Sequence, residues 1–279
     1  MRPKIGILAG GGRLPERLIA ALKERGQPYF VIAFKGQTPR GLVHDEPHAW
    51  VRLGAAGSVI EALRDAECEE VVMAGAIVRP SLATLFPDAW MAAFIARHGA
   101  RVLGDDGILS ALIKDLEERE NFRVVAVDSL LPNILMPEGV LTKIAPNAYD
   151  KADIQQGIKI AGAVGALDVG QGCVVQRGLV LAVEAIEGTE VMLSRIDAVK
   201  RKGPGGVLVK VMKPGQEERV DLPTIGPDTI RQVERAGLAG VAVEAEKAVL
   251  LDREAAVAAA DEAGLFLTGI MADGGRRER

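Results

Sequence analysis

The amino-acid sequence predicts an α/β protein with two parts, a Rossmann-like parallel-sheet domain at the N-terminus and a second, distinct C-terminal α/β domain joined by a linker. Short apolar runs alternate with amphipathic segments of helical period through the first half of the chain. Continuously apolar strands separated by helices are typical of a parallel sheet covered on both faces. A stretch rich in proline then interrupts this rhythm, and 279 residues leave room for two domains.

The first half alternates between predicted strands and predicted helices. Each strand is a short apolar run, and each helix places apolar residues along one face. The first helix stops at Gly26, a residue type that favours helix termination. The strands are predicted at residues 4–9, 28–34, 49–53, 70–75 and 122–127. The helices are predicted at residues 14–25, 57–66, 88–98 and 106–118.

Residues 129–150 break the alternation. Several prolines in this stretch leave no room for a long helix or strand, because proline lacks an amide donor and restricts the residue before it. Such a composition is typical of a linker or a crossover between domains. The chain is therefore divided into a Rossmann-like N-terminal domain at 1–135, a linker at 136–150 and a second α/β domain at 151–279.

The second half returns to alternating strands and helices, in a pattern that differs from the first. Arg177 and Gly178 are predicted to join two of its strands by a tight turn. The strands are predicted at residues 173–176, 179–186, 206–211, 241–244, 248–251 and 265–268, with the segments 241–244 and 248–251 paired. The helices are predicted at residues 151–164, 190–198, 227–236 and 253–263.

Composition excludes several classes of function. The net charge is −4 and aromatic residues make up 4% of the chain, which argues against nucleic acid as a partner. Cys68 and Cys173 are far apart and are interpreted as buried thiols in a reducing compartment. The histidines do not combine with them at a zinc-binding spacing. No secretory signal and no apolar run of about 18 residues is evident, so we expect a cytoplasmic protein.

A run of glycines follows the first predicted strand. Gly10, Gly11 and Gly12 precede the first helix, where backbone amides and the helix dipole favour a phosphate. A tight turn without a ligand explains the same residues. The dinucleotide fingerprint is incomplete, because Pro15 takes the place of its last glycine and Lys35 lies where an acidic residue is expected. A nicotinamide cofactor is therefore disfavoured.

Carboxylates in two loops are candidates for chemistry. Asp105 and Asp106 open a predicted helix; one of them suffices as an N-cap, whereas a pair also suits Mg²⁺. Asp221 precedes a Leu-Pro-Thr turn, and Pro223 disfavours helical conformation in the residue before it. Asp221 should therefore lie outside any helix. Its local sequence fits a turn residue and a catalytic residue equally well.

Further polar residues accompany the predicted strand ends. Strand alternation puts Glu184 and Glu187 on opposite faces, and Glu187 beside a turn is the better candidate for a shared site. Lys213 follows a strand, where an ammonium group suits phosphate charge. Together, the glycine loop, the carboxylates, the lysine and the lack of a zinc-binding set favour metal-assisted phosphate chemistry over thiol or triad chemistry. The candidate substrate-binding residues are Gly10, Gly11, Gly12, Gly75, Gln171, Glu187, Gly188, Thr189, Lys213 and Thr224.

Several segments together resemble a known family. Residues 168–175, 179–189 and 220–226 are similar to the C-terminal domain of the LpxI-type UDP-2,3-diacylglucosamine pyrophosphatases. Residues 7–15 and 104–106 are similar to the N-terminal domain of the same family. The similarities agree in order and spacing along nearly the whole chain.

The resemblance implies an enzyme of lipid A biosynthesis that hydrolyses the pyrophosphate bond of UDP-2,3-diacylglucosamine to 2,3-diacylglucosamine 1-phosphate and UMP. It implies Mg²⁺ as cofactor and attack of water on the phosphorus nearer the sugar. Asp221 matches the family's essential aspartate, and Asp105, Asp106 and Asp221 are the implied metal ligands. The substrate is lipidic, so transient contact with the cytoplasmic face of the inner membrane is expected; homo-oligomerisation is left open.

Two other functions stay open at this point. One is a nucleotide-sugar oxidoreductase or transferase on a Rossmann-like domain, which the incomplete glycine fingerprint disfavours. The other is a non-catalytic carrier of nucleotide or lipid, in which Asp221 serves only as a turn residue.

Overall fold

The computed structural model divides the chain into two compact α/β units, as predicted. The first unit comprises the chain up to Pro132 together with Glu217–Val220, and the second comprises Asn133–Gln216 and the chain from Asp221 onward. The structure describes residues 2–78, 85–99, 105–203 and 205–272, apart from the side chains of residues 105 and 106.

The first unit contains a fully parallel five-stranded sheet with the order β3-β2-β1-β4-β5. The order reverses between β1 and β4, as in Rossmann-like sheets. The parallel-sheet prediction is confirmed. The strands are β1 Ile5–Ala9, β2 Tyr29–Phe34, β3 His48–Val51, β4 Glu70–Ala74 and β5 Arg123–Val124.

Helices cover both faces of this sheet. Helix α1 packs against β4 and α5, while α2 and α4 contribute Leu63 and Ile113 to a core that also contains Ile32 and Val71. The predicted strand 122–127 is shorter than expected, because a helix already begins at Val127, the last residue of that range. The described helices are α1 Leu14–Glu24, α2 Ala56–Asp65, α3 Ala89–His98, α4 Asp105–Glu118 and α5 Val127–Leu130.

The backbones that leave β1 and β4 are in direct contact at the reversal point. The amide of Gly10 donates to the Ala74 carbonyl at 2.8 Å, and the amide of Gly11 donates to the Ala76 carbonyl at 2.7 Å. A Cβ atom on Gly10 would lie 2.4 Å from the Ala76 carbonyl oxygen, and one on Gly75 would lie 2.4 Å from the Gly11 carbonyl oxygen. Glycine is therefore required at both positions by this close approach.

The segment Glu217–Val220 belongs to the first unit through its contacts. Arg219 donates from Nη1 to Glu117 at 2.8 Å and from Nε to Glu217 at 2.9 Å. The hydrogen bond from Arg219 lowers the pKa of the Glu217 carboxyl group. Val220 packs against the apolar core of this unit.

The second unit contains a mixed six-stranded sheet with the order β6-β13-β11-β9-β7-β8. Strands β9, β11 and β13 are parallel, whereas β7 runs antiparallel to β8 and β9, and β6 runs antiparallel to β13. Strands β10 and β12 form a separate parallel pair. The strands are β6 Gly139–Val140, β7 Gly172–Gln176, β8 Leu179–Val183, β9 Val207–Lys210, β10 Thr224–Ile225, β11 Gly240–Glu244, β12 Val249–Leu250 and β13 Phe266–Ile270.

The predicted pairing of the segments 241–244 and 248–251 is wrong. Strand β11 lies between β9 and β13, so both of its edges are occupied. Strand β12 is held elsewhere, because the amide of Val249 donates to the Pro223 carbonyl at 2.7 Å and the amide of Leu250 donates to the Ile134 carbonyl at 2.8 Å. Strands β11 and β12 are neighbours in the sequence, but each pairs with other strands.

Helices pack on the two faces of the six-stranded sheet. Val207 and Val209 of β9 face a core shared with α6, while Leu208 between them faces a core shared with α7, α9 and α10. Helix α6 begins within the predicted linker 136–150, which also contains β6 and clusters with the second unit. The helices are α6 Ala148–Ala166, α7 Gly188–Ser194, α8 Ile196–Val199, α9 Pro227–Arg235 and α10 Arg253–Glu262.

Both cysteines are buried and reduced, as predicted. Burial raises the pKa of the Cys68 thiol to about 11 and that of the Cys173 thiol to about 12. Thiols in this state are protonated and unreactive at neutral pH.

A carboxylate on α6 fixes the turn between β7 and β8. Arg177 and Gly178 both have positive φ angles, 52° and 77°. The carboxylate of Asp153, which is 1% exposed, accepts from the Arg177 amide at 2.8 Å and from the Gly178 amide at 2.7 Å. The predicted turn is confirmed, and α6 is tied to it.

Replacing Asp153 with Ala should destabilise the second unit by about 3 kcal/mol. Two charge-assisted hydrogen bonds that fix the turn are lost, each worth about 1.5 kcal/mol. Urea unfolding measures the difference. The exposed Asp197 serves as the control, because its replacement by Ala should change the free energy of unfolding by less than about 0.5 kcal/mol. Equal effects of the two replacements would contradict the role assigned to Asp153.

The adjacent glycines Gly10 and Gly11 should differ sharply in their tolerance of alanine. Gly10→Ala should cost about 2 kcal/mol or more, because the new Cβ would meet backbone atoms of Gly75 and Ala76. At Gly11 the nearest atom is 3.4 Å away, so alanine should change stability by less than about 1 kcal/mol. Thermal unfolding of the two variants checks this, and similar melting temperatures would refute the close approach.

Candidate functional site

Most of the predicted site residues of the second unit lie in loops at one edge of its six-stranded sheet. Strands β8, β9, β11 and β13 all end at this edge, and β7 begins there, since Gly172 of β7 is the register partner of Lys210 at the end of β9. Ligands commonly bind beyond the carboxyl ends of parallel strands. The edge therefore gathers residues that are distant in sequence.

Asp221 lies outside any helix, as Pro223 predicted, and its carboxylate is held by a buried amide. The Nε2 atom of Gln216 donates to Asp221 Oδ2 at 2.5 Å. The Oε1 atom of Gln216 accepts from the Lys213 amide at 3.0 Å. Because both ends of its amide are engaged and only 5% of Gln216 is exposed, it fixes one oxygen of the Asp221 carboxylate.

Lys213 links this arrangement to the start of the loop that enters β7. Its ammonium group lies 2.7 Å from Asp168 Oδ1, and the lysine is 8% exposed. Asp168 has a positive φ of 54°, which turns the chain after α6. Asp168, Lys213, Gln216 and Asp221 thus form one continuous polar network. Two of its members, Lys213 and Asp221, were predicted as site residues.

A second buried cluster lies beside it. The ammonium group of Lys210 is 2.5 Å from Thr189 Oγ1 and 3.4 Å from the Glu184 carboxylate. Thr189 donates to Glu184 Oε1 at 2.6 Å. Lys210 is 3% exposed and Glu184 is 6% exposed. Breaking such a pair leaves an uncompensated buried charge, so the cluster holds the end of β9, the end of β8 and the start of α7 in a defined arrangement.

The structure places Glu184, and not Glu187, beside Thr189. Glu187 lies at the start of α7 and accepts from Arg195 at 2.5 Å, and Gly188, with a φ of 77°, begins that helix. Glu184, which directly follows β8, is buried, whereas Glu187 is only partly buried. A substrate contact by Glu187 or Gly188 stays a prediction.

Gln171 carries a buried acceptor that finds no donor among the described residues. Its backbone carbonyl accepts from the Val211 amide at 3.0 Å, two residues before Lys213. Its side-chain Oε1 atom is buried and unpaired. An unsatisfied buried acceptor is unusual, and a ligand or a water molecule would satisfy it. Thr224, at the start of β10, donates to the Leu222 carbonyl at 3.2 Å.

The glycine loop of the first unit is partly committed to structure. The amides of Gly10 and Gly11 donate to the carbonyl groups of Ala74 and Ala76. Gly12 has a φ of 84° and open space around it. An anion at this loop would therefore meet Gly12 and the first turn of α1, and not the whole glycine run. Gly75 permits the tight turn because it has no Cβ atom, which would lie 2.4 Å from the Gly11 carbonyl oxygen.

The predicted pair Asp105 and Asp106 is described only in its backbone, which opens α4. Gly104 and both aspartate side chains lie outside the described part of the structure. Within the described residues, no group of three or more histidine, cysteine, aspartate or glutamate side chains is arranged to hold a metal ion. Binding of a metal by these residues stays a prediction.

Sequence reasoning missed Gln216 and Asp168 and did not select Lys210 or Glu184. Gln216 follows a Pro-Gly turn and looks like an ordinary loop residue. Asp168 stands at the head of the segment 168–175 but was given no role there. Their importance arises from contacts between loops, which no local pattern reveals. No helix in the described ranges combines the length and hydropathy needed to span a membrane.

Comparison with solved structures adds little. The chain is 12% identical to the N5-carboxyaminoimidazole synthase of Aspergillus clavatus, with a TM-score of 0.23 over 71% of this chain and 44% of that one. A second structure from the same organism, a carboxyaminoimidazole ribonucleotide synthase, gives 13% identity and a TM-score of 0.22 over 63% and 38% of the two chains. Similarities at this level carry no argument.

Comparison with characterised proteins and family models is decisive. The chain is 39% identical over 282 aligned positions to the UDP-2,3-diacylglucosamine pyrophosphatase LpxI of Caulobacter vibrioides, covering 96% of this chain and 97% of that protein. The model of the LpxI N-terminal domain matches residues 4–134, and the model of the LpxI C-terminal domain matches residues 137–268. With both domains matched along its length, the chain belongs to the LpxI family.

Proposed function

We propose that the protein hydrolyses the pyrophosphate bond of UDP-2,3-diacylglucosamine, giving 2,3-diacylglucosamine 1-phosphate and UMP, in lipid A biosynthesis. The activity named for its Caulobacter relative supports this, because the similarity covers nearly the full length of both chains. The observation that carries the proposal is the carboxylate of Asp221, fixed by Gln216 beyond the carboxyl end of a sheet.

The charges around Asp221 suit a pyrophosphate substrate. Lys213 lies in the same network, and its ammonium group contributes positive charge to it. The unpaired acceptor of Gln171 would accept from a hydroxyl or imide group of the substrate. In the first unit, Gly12 and the start of α1 would favour an anionic group.

Asp221 would orient the attacking water. Its Oδ2 atom is engaged by Gln216, so the carboxylate is held in one orientation before substrate binds. The attack is proposed at the phosphorus nearer the sugar, with UMP as leaving group. The water oxygen forms a bond to that phosphorus, the bond from that phosphorus to the bridging oxygen breaks, and UMP leaves with the bridging oxygen.

Mg²⁺ is proposed as the cofactor. One or two carboxylates together with phosphate oxygens and water satisfy this ion, so a single described carboxylate such as Asp221 fits it. Asp105 and Asp106 are the further ligands that we propose. When bound, Mg²⁺ would stabilise the negative charge that develops on the phosphates.

Replacing Asp221 with Asn should lower kcat by about 10³-fold or more, because the carboxylate charge is lost while shape is retained. Release of UMP from UDP-2,3-diacylglucosamine measures this. Asp228→Asn is the control, since the exposed Asp228 lies seven residues further on and pairs with Arg231. A normal kcat for the Asp221 variant would exclude it from catalysis.

Replacing Gln216 with Ala should lower kcat by about 10- to 100-fold with little change in KM, because the Asp221 carboxylate loses its orientation. Gln216→Glu should be more damaging, because it would set two carboxylates against each other. Steady-state kinetics checks both. Gln155, exposed on α6, supplies the control, and its replacement by Ala should leave kcat unchanged. If the Gln216 and Gln155 variants behave alike, Gln216 does not position Asp221.

Hydrolysis in ¹⁸O-labelled water should place the heavy oxygen on 2,3-diacylglucosamine 1-phosphate and none on UMP. Water that attacks the phosphorus nearer the sugar remains on that phosphorus in the product. Mass spectrometry of the two products distinguishes the outcomes. Label in UMP would show that the other phosphorus is attacked.

The acyl chains of the substrate reside in a bilayer, so we propose that the protein works in the cytoplasm and makes transient contact with the inner membrane. This proposal concerns the source of the substrate and is separate from the chemistry at Asp221.

A further inference from the structure

We infer that the carboxyl edge of the five-stranded sheet in the first unit is the surface by which the protein docks on an anionic phospholipid bilayer. The inference rests on the proposed function, because an enzyme with a lipid substrate requires access to a membrane. The surface, here called the docking edge, consists of residues 35–40, 52–55, 76–78 and 85–88.

Large apolar side chains project from the docking edge into solvent. Val78 is 75% exposed, Phe86 is 68% exposed and Ile77 is 40% exposed. All three follow β4 in the chain, before α3 begins. Apolar side chains grouped at one edge and left in water are typical of surfaces that contact another apolar phase.

Hydrogen bonds hold these loops together. The side chain of Gln37, in the loop after β2, accepts from the Val78 amide at 2.8 Å and donates to the Val78 carbonyl at 3.0 Å. Arg52, in the loop after β3, donates to the Phe86 carbonyl at 3.0 Å. The exposed apolar residues are thus presented by loops that contact one another.

The charge of the docking edge is positive, although the whole chain has a net charge of −4. Lys35, Arg40 and Arg52 are exposed within it. Asp88 is its carboxylate, and both of its oxygens accept backbone amides, from Gly57 at 2.7 Å and from Met91 at 2.8 Å. Cations around exposed apolar side chains complement the surface of an anionic bilayer.

A groove of about 1000 Å³ adjoins the exposed loop at Val78, since Gln37 lines it. Cationic and aromatic side chains contribute to its walls, notably Lys35, Arg40, His44 and Trp50. His44 is paired with Asp45 at 2.8 Å, so Lys35 and Arg40 supply the principal positive charge of the groove. A phosphate headgroup with its glycerol fits this chemistry, and tryptophan favours the interfacial region of a bilayer.

The experiment compares binding of the full-length protein to vesicles of phosphatidylglycerol and phosphatidylcholine with binding to pure phosphatidylcholine. We expect sedimentation with the anionic vesicles and little with the neutral ones. Removal of one cation near a membrane weakens partitioning by about fivefold, so Lys35→Glu with Arg40→Glu should weaken binding by about 25-fold or more. Val78→Ser with Phe86→Ser should also reduce binding.

Matched controls lie on the second unit. Leu179 is 51% exposed on β8, and Lys159 is exposed on α6. Leu179→Ser and Lys159→Glu should leave vesicle binding within about twofold of the unaltered protein. Circular dichroism would verify that each variant is folded.

Two outcomes would overturn the inference. In one, the unaltered protein ignores both kinds of vesicle, as expected if the edge instead binds a protein. In the other, the docking-edge variants bind as well as the controls. Hydrolysis of detergent-dispersed substrate should be unchanged in the docking-edge variants, so loss of membrane binding and failure of the proposed chemistry give different results.

Discussion

Buried charge at the carboxyl edge of the second sheet must be paired, and the site depends on how that pairing is achieved. Lys210 is neutralised by Glu184, and Lys213 by Asp168, in positions where an unpaired ammonium group would be strongly unfavourable. These pairs join the end of β9 to the end of β8 and to the loop entering β7. The main chain at Lys213 then anchors Gln216, so the placement of Asp221 is a consequence of the pairing.

In the first unit, the need to pair polar groups likewise limits which amides of the glycine loop can bind a ligand. A glycine run after β1 suggests a phosphate cradle, yet two of its amides are already used to join the loop to the backbone after β4. Buried amides need acceptors whether or not a ligand is present. The close contact at Gly10 therefore makes the turn rigid and leaves Gly12 and the first turn of α1 as the parts suited to an anion.

Local patterns predicted most helices and strands, because the periodicity of apolar residues can be read from each segment without knowing its partners. They failed where partners are distant. Strand β12 was assigned to β11 because the two are neighbours in sequence, whereas the edges of β11 are taken by β9 and β13. The buried pairing of Glu184 with Lys210 was not predicted, because the two residues are 26 positions apart in the sequence. Gln216 carried no signal, since its role exists only through contact with Lys213 and Asp221.

The contrast between Asp221 and Gln216 shows what a functional loop requires. Pro223 keeps Asp221 out of a helix, which is a local effect and was predictable. Direction is a separate requirement, because a carboxylate on an extended segment rotates freely unless a neighbour engages one oxygen. Gln216 meets that requirement with a neutral donor, which orients the carboxylate without neutralising it as a lysine would. The group that orients Asp221 therefore leaves its negative charge uncompensated, and in the proposed mechanism this charge serves a cation or a water molecule.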